Sequence, residues 1–174
     1  MNNANAMKYG FIKVAAATPV INVADCYENA ENIISDIHEA EKNKVKLVVF
    51  PELCITGYTI GDLVYSPHLL DNALIALNKI ADATKGLDIL VFVGLPYVCN
   101  SLIYNVAAAV YNGKVLGFVP ITSFTKKGIL LKRRMKIFML NSTDMKFRSA
   151  KKLFLTAEYI KTLPFVPKSA RIYG

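Results

Sequence analysis

The stretch KLVVFPELCITGYTIGDLVY, residues Lys46–Tyr65, joins a short apolar run to a loop that opens with a proline and a carboxylate. The run Leu47–Phe50 is rich in β-branched and aromatic side chains, which predicts a strand buried on both faces. Pro51 has no backbone N–H for a sheet ladder, so it ends the strand. Glu52 is therefore expected at the carboxyl end of that strand, half in the core, where a carboxylate can take a proton from a nucleophile.

Strand and helix patterns alternate on both sides of this stretch. The helical segments place apolar residues three and four apart, and the strands are short apolar runs. The order β-α-β-α-β-β-β predicts an α/β fold with a mixed sheet. Outside the opening stretch, the predicted elements are a strand within Tyr9–Ile21, a helix within Asp25–Val45, a helix within Ser66–Gly86, a strand within Leu87–Val98 and a hairpin over Leu102–Pro120 that turns at Asn112-Gly113.

Several residues mark the expected ends of the helices. Asp25 is a predicted N-cap, with Glu28 as its capping-box partner three residues later. Asp62 is predicted to cap the helix that follows the opening stretch. Pro67 suits the first turn of that helix, and Gly86 suits the position just beyond its end.

The net charge of +8 is distributed very unevenly along the chain. Residues 1–120 carry 8 Lys and Arg against 11 Asp and Glu, a net of −3, whereas residues 121–174 carry 13 against 2, a net of +11. The regular alternation of elements also stops near Pro120. We therefore predict two parts, a folded unit over 8–120 and a basic segment over 121–174 of a different character.

The cysteines and histidines do not form a recognisable metal or disulfide pattern. The three cysteines, Cys26, Cys54 and Cys99, show no metal-like spacing and are predicted to be structural. His38 and His68 lie on or beside helices and are expected at the surface. The N-terminal residues have no apolar core typical of a signal peptide, and no apolar stretch approaches ~20 residues, so a cytoplasmic protein without a membrane partner is expected.

The segment VVFPELCITGYTIGDL, Val48–Leu63, resembles the first catalytic block of the nitrilase, or carbon–nitrogen hydrolase, superfamily. FPEL followed by TGY is typical of the superfamily, and the extension TIGDL (Thr59–Leu63) is more typical of the glutaminase half of the glutamine-dependent NAD synthetases. Two further blocks, Tyr9–Ile33 and Val93–Pro120, fit the same family in order and spacing. The resemblance covers about residues 8–120.

This resemblance implies the front half of an αββα sandwich and a Glu-Lys-Cys triad acting on glutamine. In that triad the cysteine attacks the amide, the glutamate is the general base and the lysine stabilises the oxyanion. Glu52 matches the base. Tyr58 lines the glutamine pocket or packs locally. In the family the released ammonia passes to a synthetase domain that uses ATP and Mg to amidate nicotinic-acid adenine dinucleotide, so this segment itself is expected to hold no cofactor or metal, and the intact family enzyme is expected to be a homo-oligomer.

Two of the three triad residues are missing from the sequence. The lysine should follow the hairpin strand as VPK, but Pro120 is followed by Ile121, and no cysteine occurs beyond Cys99. Cys54 does not occupy the family's nucleophile position. The chain as written is therefore predicted to be inactive, because the triad residues act as a unit.

A frame shift after residue 120 would explain both the lost lysine and the basic segment. Codons can be chosen for Phe124–Leu130 that, read one base later, encode Leu-Pro-Lys-Lys-Glu-Phe. This peptide is similar to the LPxxxEFY sequence that follows the family lysine. A-rich codons read out of frame also yield many lysines and arginines. We therefore hypothesise that 121–174 is a frame-shifted translation.

Two other functions remain open from the sequence. One is a stand-alone amidase or nitrilase of the same superfamily. The other is a non-catalytic binding module whose basic tail contacts nucleic acid or a subunit, although the tail's aromatics show no RNA-binding pattern and nucleic acid is not the expected partner. A half sandwich is also expected to leave the apolar runs LVFVGLP and YNVAAAV partly exposed.

Overall fold

A computed structural model describes residues 11–99, 101–124, 138–139 and 148–149. It contains one mixed sheet, two α-helices and a short 3-10 helix. The sheet order follows the chain, from β1 to β7. The elements are β1 Val14–Ala16, α1 Cys26–Lys42, β2 Leu47–Val49, the 3-10 helix Gly61–Tyr65, α2 Pro67–Ala83, β3 Leu90–Cys99, β4 Leu102–Tyr111, β5 Lys114–Phe124, β6 Phe138–Met139 and β7 Arg148–Ser149.

The sheet has a parallel half and an antiparallel half. β1, β2 and β3 are parallel neighbours, joined by α1 and α2 as crossovers. From β3 to β7 each strand pairs antiparallel with the next. The predicted α/β class with a mixed sheet is confirmed, and so is the hairpin turn, where Asn112 and Gly113 both adopt a positive φ, at 45° and 78°.

The helix ends agree with the sequence in part. Asp25 caps α1 by accepting a hydrogen bond from the Glu28 N–H at 3.0 Å. The reciprocal half of the capping box is not formed, because the Asp25 N–H donates to the Asn22 carbonyl instead, at 3.2 Å. Pro67 begins α2 as predicted. The prediction for Asp62 is wrong: it lies inside the 3-10 helix, which ends at Tyr65 before α2 begins.

The core lies between the two helices and one face of the sheet. Helix α1 contributes Ile33 and Ile37, helix α2 contributes Ile80, and all three are fully buried against Val48 and Val91 of the central strands. Burying an isoleucine of this kind stabilises the fold by about 2 kcal/mol. This layer fixes β2 and β3 side by side and so determines where the loop after β2 must lie.

The other sheet face is partly uncovered at β1 and β2. Val14 and Val49 are 59% and 42% exposed. The expectation that exposure would fall on the runs in β3 and β4 is largely wrong, because most residues there are buried or half-buried. One reason is that the loop after β2 crosses over Gly94 of β3 and covers it.

Candidate functional site at the carboxyl end of β2

The site begins where the parallel ladder stops. The Phe50 N–H donates to the Phe92 carbonyl at 2.9 Å, which extends the β2–β3 pairing one residue past β2. Pro51 has no N–H to continue it. Glu52 is the next residue and carries an exposed side chain. The expectation that Glu52 would be half in the core is wrong, although its position at the carboxyl end of the strand is as predicted.

A tight turn directly after Glu52 redirects the backbone. Leu53 is buried and adopts a positive φ of 54°, a conformation that costs a non-glycine residue about 1–2 kcal/mol. Its carbonyl accepts hydrogen bonds from the N–H groups of Thr56, at 3.0 Å, and Gly57, at 2.7 Å. These two bonds offset the conformational cost and hold Glu52 at the edge of the sheet.

Gly94 of β3 lies directly against the backbone of this turn. A β-carbon at Gly94 would lie 2.4 Å from the Leu53 nitrogen and 2.7 Å from the Pro51 carbonyl oxygen. Such distances are closer than real β-carbons approach other atoms, so only glycine allows the loop to lie this near β3. The Gly94 carbonyl also accepts the Ile55 N–H at 3.1 Å.

Cys54 stabilises the same turn through its contacts with Gly94 and is not a nucleophile. Its Sγ accepts the Gly94 N–H at 3.3 Å and also lies 3.6 Å from the Gly94 carbonyl oxygen. Burial raises the pKa of the Cys54 thiol to about 11, so the thiol is protonated at neutral pH and unreactive. Its predicted structural role is confirmed, and Cys26 and Cys99 are likewise free and buried.

Among the described residues, the carboxylate of Glu52 has one hydrogen-bond partner. The side-chain Nδ2 of Asn105, on β4, donates a hydrogen bond to Glu52 Oε1. Asn105 itself is almost fully buried, whereas Glu52 is exposed. The candidate base is therefore held by a side chain on a different strand, that of Asn105. This is a neutral amide and not the cation that an ordinary ion-paired surface glutamate would have.

A second buried asparagine fixes the far end of the loop. Asn29 of α1 donates from Nδ2 to the carbonyls of Asn22, at 2.8 Å, and Ile55, at 3.0 Å, and its Oδ1 accepts the Asn22 N–H at 2.7 Å. The Ala24 N–H adds a bond to the Thr56 carbonyl at 2.8 Å. Helix α1, the segment before it and the loop after β2 are thereby joined.

The other residues singled out from the sequence, Tyr58, His38 and His68, are all exposed. Tyr58 lies in the same loop as Glu52 and is 70% exposed. Within residues 11–99 and 101–124 no hydrogen bond, ion pair or ring contact of Tyr58 is formed, and both roles named for it, lining a pocket and local packing, stay predictions. His38 and His68 are exposed as expected, and the His68 ring Nε2 lies 3.1 Å from Asn72 Nδ2.

Three residues that hold the site, Gly94, Asn29 and Asn105, were not predicted from the sequence. Gly94 and Asn105 interrupt the apolar runs of β3 and β4, and an isolated glycine in a strand indicates a close backbone approach. A buried polar residue in such a run needs a hydrogen-bond partner. Asn29 gives a weaker indication, since asparagine is common on exposed helix faces.

Two general features of the described residues bear on function. No group of three His, Cys, Asp or Glu side chains in this part of the chain could hold a metal ion. None of the helices among these residues is long and apolar enough to cross a bilayer.

Residues 13–151 match the family model described as carbon-nitrogen hydrolase. The chain belongs to the carbon–nitrogen hydrolase family. This match crosses residue 120, and the division of the chain at that position stays a prediction.

Among individual relatives, the glutamine-dependent NAD(+) synthetase of Mycobacterium tuberculosis is 34% identical over 120 residues, covering 69% of this chain and 18% of that protein. The crystal structure of a glutamine-dependent NAD(+) synthetase from Cytophaga hutchinsonii superposes with a TM-score of 0.61 and 32% identity, over 66% of this chain and 20% of that chain. An amidase from Nesterenkonia sp., 18% identical with a TM-score of 0.57 over 71% of this chain and 48% of that chain, shares the fold.

The carbon–nitrogen hydrolase chain described here thus spans about a fifth of the length of the curated relatives it matches. The matched part is the N-terminal nitrilase-like domain of these synthetases. The predicted family and the nitrilase-like α/β fold are both confirmed. The sheet and the two helices correspond to one α-layer and one β-layer of that fold.

Proposed function

We propose that this chain carries the front portion of a glutaminase domain and that Glu52 is its general base. The proposal depends on one observation: an exposed carboxylate follows the carboxyl end of β2 and is held by a turn that only a glycine at position 94 permits. A positioned carboxylate of this kind can accept a proton from an attacking thiol. The resemblance of FPEL to the family's first catalytic block supports the assignment of Glu52 as the base.

Glutamine is the proposed substrate of the complete site, and Tyr58 is proposed to contact it. The exposure of Tyr58 on the Glu52 loop leaves its ring available for a ligand. In the complete enzyme, ammonia from glutamine would pass to a synthetase domain that uses ATP and Mg to form NAD. No residue of the present chain is assigned to ATP, Mg or the ammonia route.

We propose further that the chain as written does not hydrolyse glutamine. Ile121 stands where the family has its lysine, and no cysteine follows Cys99, so neither the oxyanion stabiliser nor the nucleophile is supplied. Cys54 cannot substitute, because it is buried and its raised pKa keeps it protonated. Losing one member of such a unit removes most of the rate.

Two measurements test this proposal. The purified chain, incubated with glutamine, is expected to release no ammonia above a protein-free blank; release that stops in Glu52→Gln would contradict the proposed inactivity. Sequencing the source DNA from the codon for Val119 past that for Gly174 tests the frame-shift hypothesis. A one- or two-base correction that restores a lysine after Pro120 supports it, whereas an uninterrupted frame overturns it.

A further inference from the structure

The turn between β4 and β5 is bonded to the chain segment that follows α2. Asn112 and Gly113, the two residues of the turn, both have a positive φ. The Gly86 N–H donates to Asn112 Oδ1 at 2.9 Å, and the Gly113 N–H donates to Thr84 Oγ1, also at 2.9 Å. Each residue of the turn is thus held by a group that lies far away along the chain.

Thr84 serves as an acceptor for this turn. It is fully buried, and its hydroxyl donates to the Ala81 carbonyl at 2.7 Å. A hydroxyl has one proton, so the oxygen meets the Gly113 N–H only as an acceptor. The stem of Lys85 covers the same place, because a β-carbon on Gly113 would lie 2.5 Å from Lys85 Cγ. A two-residue turn closes without such contacts, so they have an effect beyond forming the hairpin.

Asn112 is the one asparagine of this sequence that is followed by glycine, and it is exposed. In a flexible chain such a pair is chemically unstable, because glycine has no β-carbon and its backbone moves freely. The Gly113 nitrogen bonds to Cγ of Asn112, the bond from Cγ to Nδ2 breaks, and Nδ2 leaves as ammonia with the proton of the Gly113 nitrogen. Water then adds to the cyclic imide and gives aspartate or isoaspartate at position 112.

We propose that Asn112 is a deamidation site and that Thr84 and Gly86 protect it in the folded chain. The attacking nitrogen keeps its proton in the hydrogen bond to Thr84, since a hydroxyl is too weak a base to remove it. The carbon under attack is held by the bond between its own oxygen and the Gly86 N–H. Ring closure needs a side chain free to turn and a nitrogen free of its proton, so each bond must break first.

The reaction alters the hairpin that carries part of the candidate site. Isoaspartate routes the backbone through the side chain and so adds a methylene group to the turn, which disturbs the pairing of Tyr111 with Lys114. Asn105, the partner of Glu52, lies on the same strand β4. The reaction occurs once per chain and uses no glutamine, so this inference does not depend on the proposed function.

The test follows deamidation by mass spectrometry of the peptide Gly86–Lys114, which trypsin releases by cleaving after Lys85 and Lys114. The purified chain is kept at mildly alkaline pH, either folded or unfolded in guanidinium chloride. In the unfolded chain Asn112 should react faster than Asn100 and Asn105, the other asparagines of the peptide. In the folded chain its rate should be at least about tenfold lower. A faster reaction at another asparagine, or equal rates in the two states, would overturn the proposal.

Thr84→Val tests the hydroxyl itself, because valine keeps the shape of threonine and lacks the acceptor. In this folded variant Asn112 should react about fivefold faster than in the unmodified chain, the factor expected from the loss of one hydrogen bond. Ile33→Val is the control, since Ile33 is buried in α1 and its truncation lowers stability away from the turn.

The two variants are compared at equal unfolding free energy, with a low concentration of guanidinium chloride added to the more stable one. Faster deamidation in Thr84→Val than in Ile33→Val supports protection by Thr84. Equal rates show that only global unfolding exposes Asn112, and they overturn it.

Hydrogen exchange keeps the proposal testable if Thr84→Val does not fold, because it needs no variant. In the unmodified chain the N–H groups of Gly86 and Gly113 are expected to exchange at least about tenfold more slowly than in the unfolded chain. Exchange of the Gly113 N–H at the unfolded rate would show that Thr84 does not hold it and would overturn the proposal.

Discussion

The backbone of Leu53 lies so close to Gly94 that a β-carbon on Gly94 would come within 2.4 Å of the Leu53 nitrogen. This contact joins β3 to the turn that presents Glu52. The same glycine also exchanges hydrogen bonds with Cys54 and Ile55 through both its N–H and its carbonyl. The position of the candidate base is therefore determined by a residue of another strand that has no side chain.

Gly94→Ala is expected to destabilise the fold by about 3 kcal/mol, since the atoms that a methyl group would meet are backbone atoms that cannot move aside. Gly86→Ala is the control. Gly86 has a positive φ of 77°, but a β-carbon there would meet no atom within 4 Å, so its substitution should cost only about 1 kcal/mol of backbone strain. Urea unfolding of both variants measures the difference. Equal losses would show that the close approach does not exist.

Asn29→Ala is expected to cost about 2 kcal/mol, because it leaves the carbonyls of Asn22 and Ile55 without their donor in a buried place. Asn32→Ala, on the same helix, is the matched control. Asn32 makes one exposed hydrogen bond, to the Val20 carbonyl at 3.0 Å, and its loss should change the unfolding free energy by less than about 0.5 kcal/mol. A smaller loss of unfolding free energy in Asn29→Ala than in Asn32→Ala would contradict the conclusion that Asn29 stabilises the loop after β2.

Stability is expected to fall at alkaline pH in part because of Cys54. Its pKa is about 11 in the folded protein against an ordinary value of 9.0. The thiol ionises more readily when the chain is unfolded, so its contribution is complete below pH 9 and is lost as the pH rises toward 11. From pH 8 to pH 10 this loss is on the order of 1 kcal/mol.

Urea unfolding at pH 8 and pH 10 measures this effect, with Cys54→Ser as the control. The serine hydroxyl does not ionise in this range but can still accept the Gly94 N–H. The variant should therefore lose less stability than the unmodified chain over the same interval. An identical loss in both proteins would show that Cys54 does not titrate as the structure implies.

Tyr58→Ala is expected to leave the unfolding free energy within about 0.5 kcal/mol of its original value, since the side chain is largely exposed. Its proposed role is contact with glutamine. Within a complete glutaminase domain the same substitution should raise KM more than it lowers kcat. A large loss of stability would instead indicate a packing role.

The main elements follow directly from the sequence because their patterns are local. The two amphipathic helices, the apolar strands and the Asn-Gly hairpin turn all occur where periodicity and turn chemistry predict them. The first strand is shorter than its apolar segment suggested, since it pairs only with the three residues of β2. Strand length depends on a partner that is distant in the chain.

The site was only half predictable for the same reason. Glu52 could be placed from Pro51 and the strand before it, and the family resemblance gave it a role. Its exposure and its bond to Asn105 depend on how β4 lies beside β3, 53 residues away along the chain. Local patterns contain no information on that contact, although the asparagine in an apolar run indicated that some partner exists.

The most direct test of the central claim is a chimera. Residues 13–120 of this chain replace the matched stretch of a full-length glutamine-dependent NAD synthetase, which then supplies the lysine, the cysteine and the synthetase domain. The chimera is expected to release ammonia from glutamine, and its Glu52→Gln variant should do so at least about 100-fold more slowly, while both form NAD from free ammonia at equal rates. Equal glutamine hydrolysis by the two proteins would contradict the assignment of Glu52 as the base.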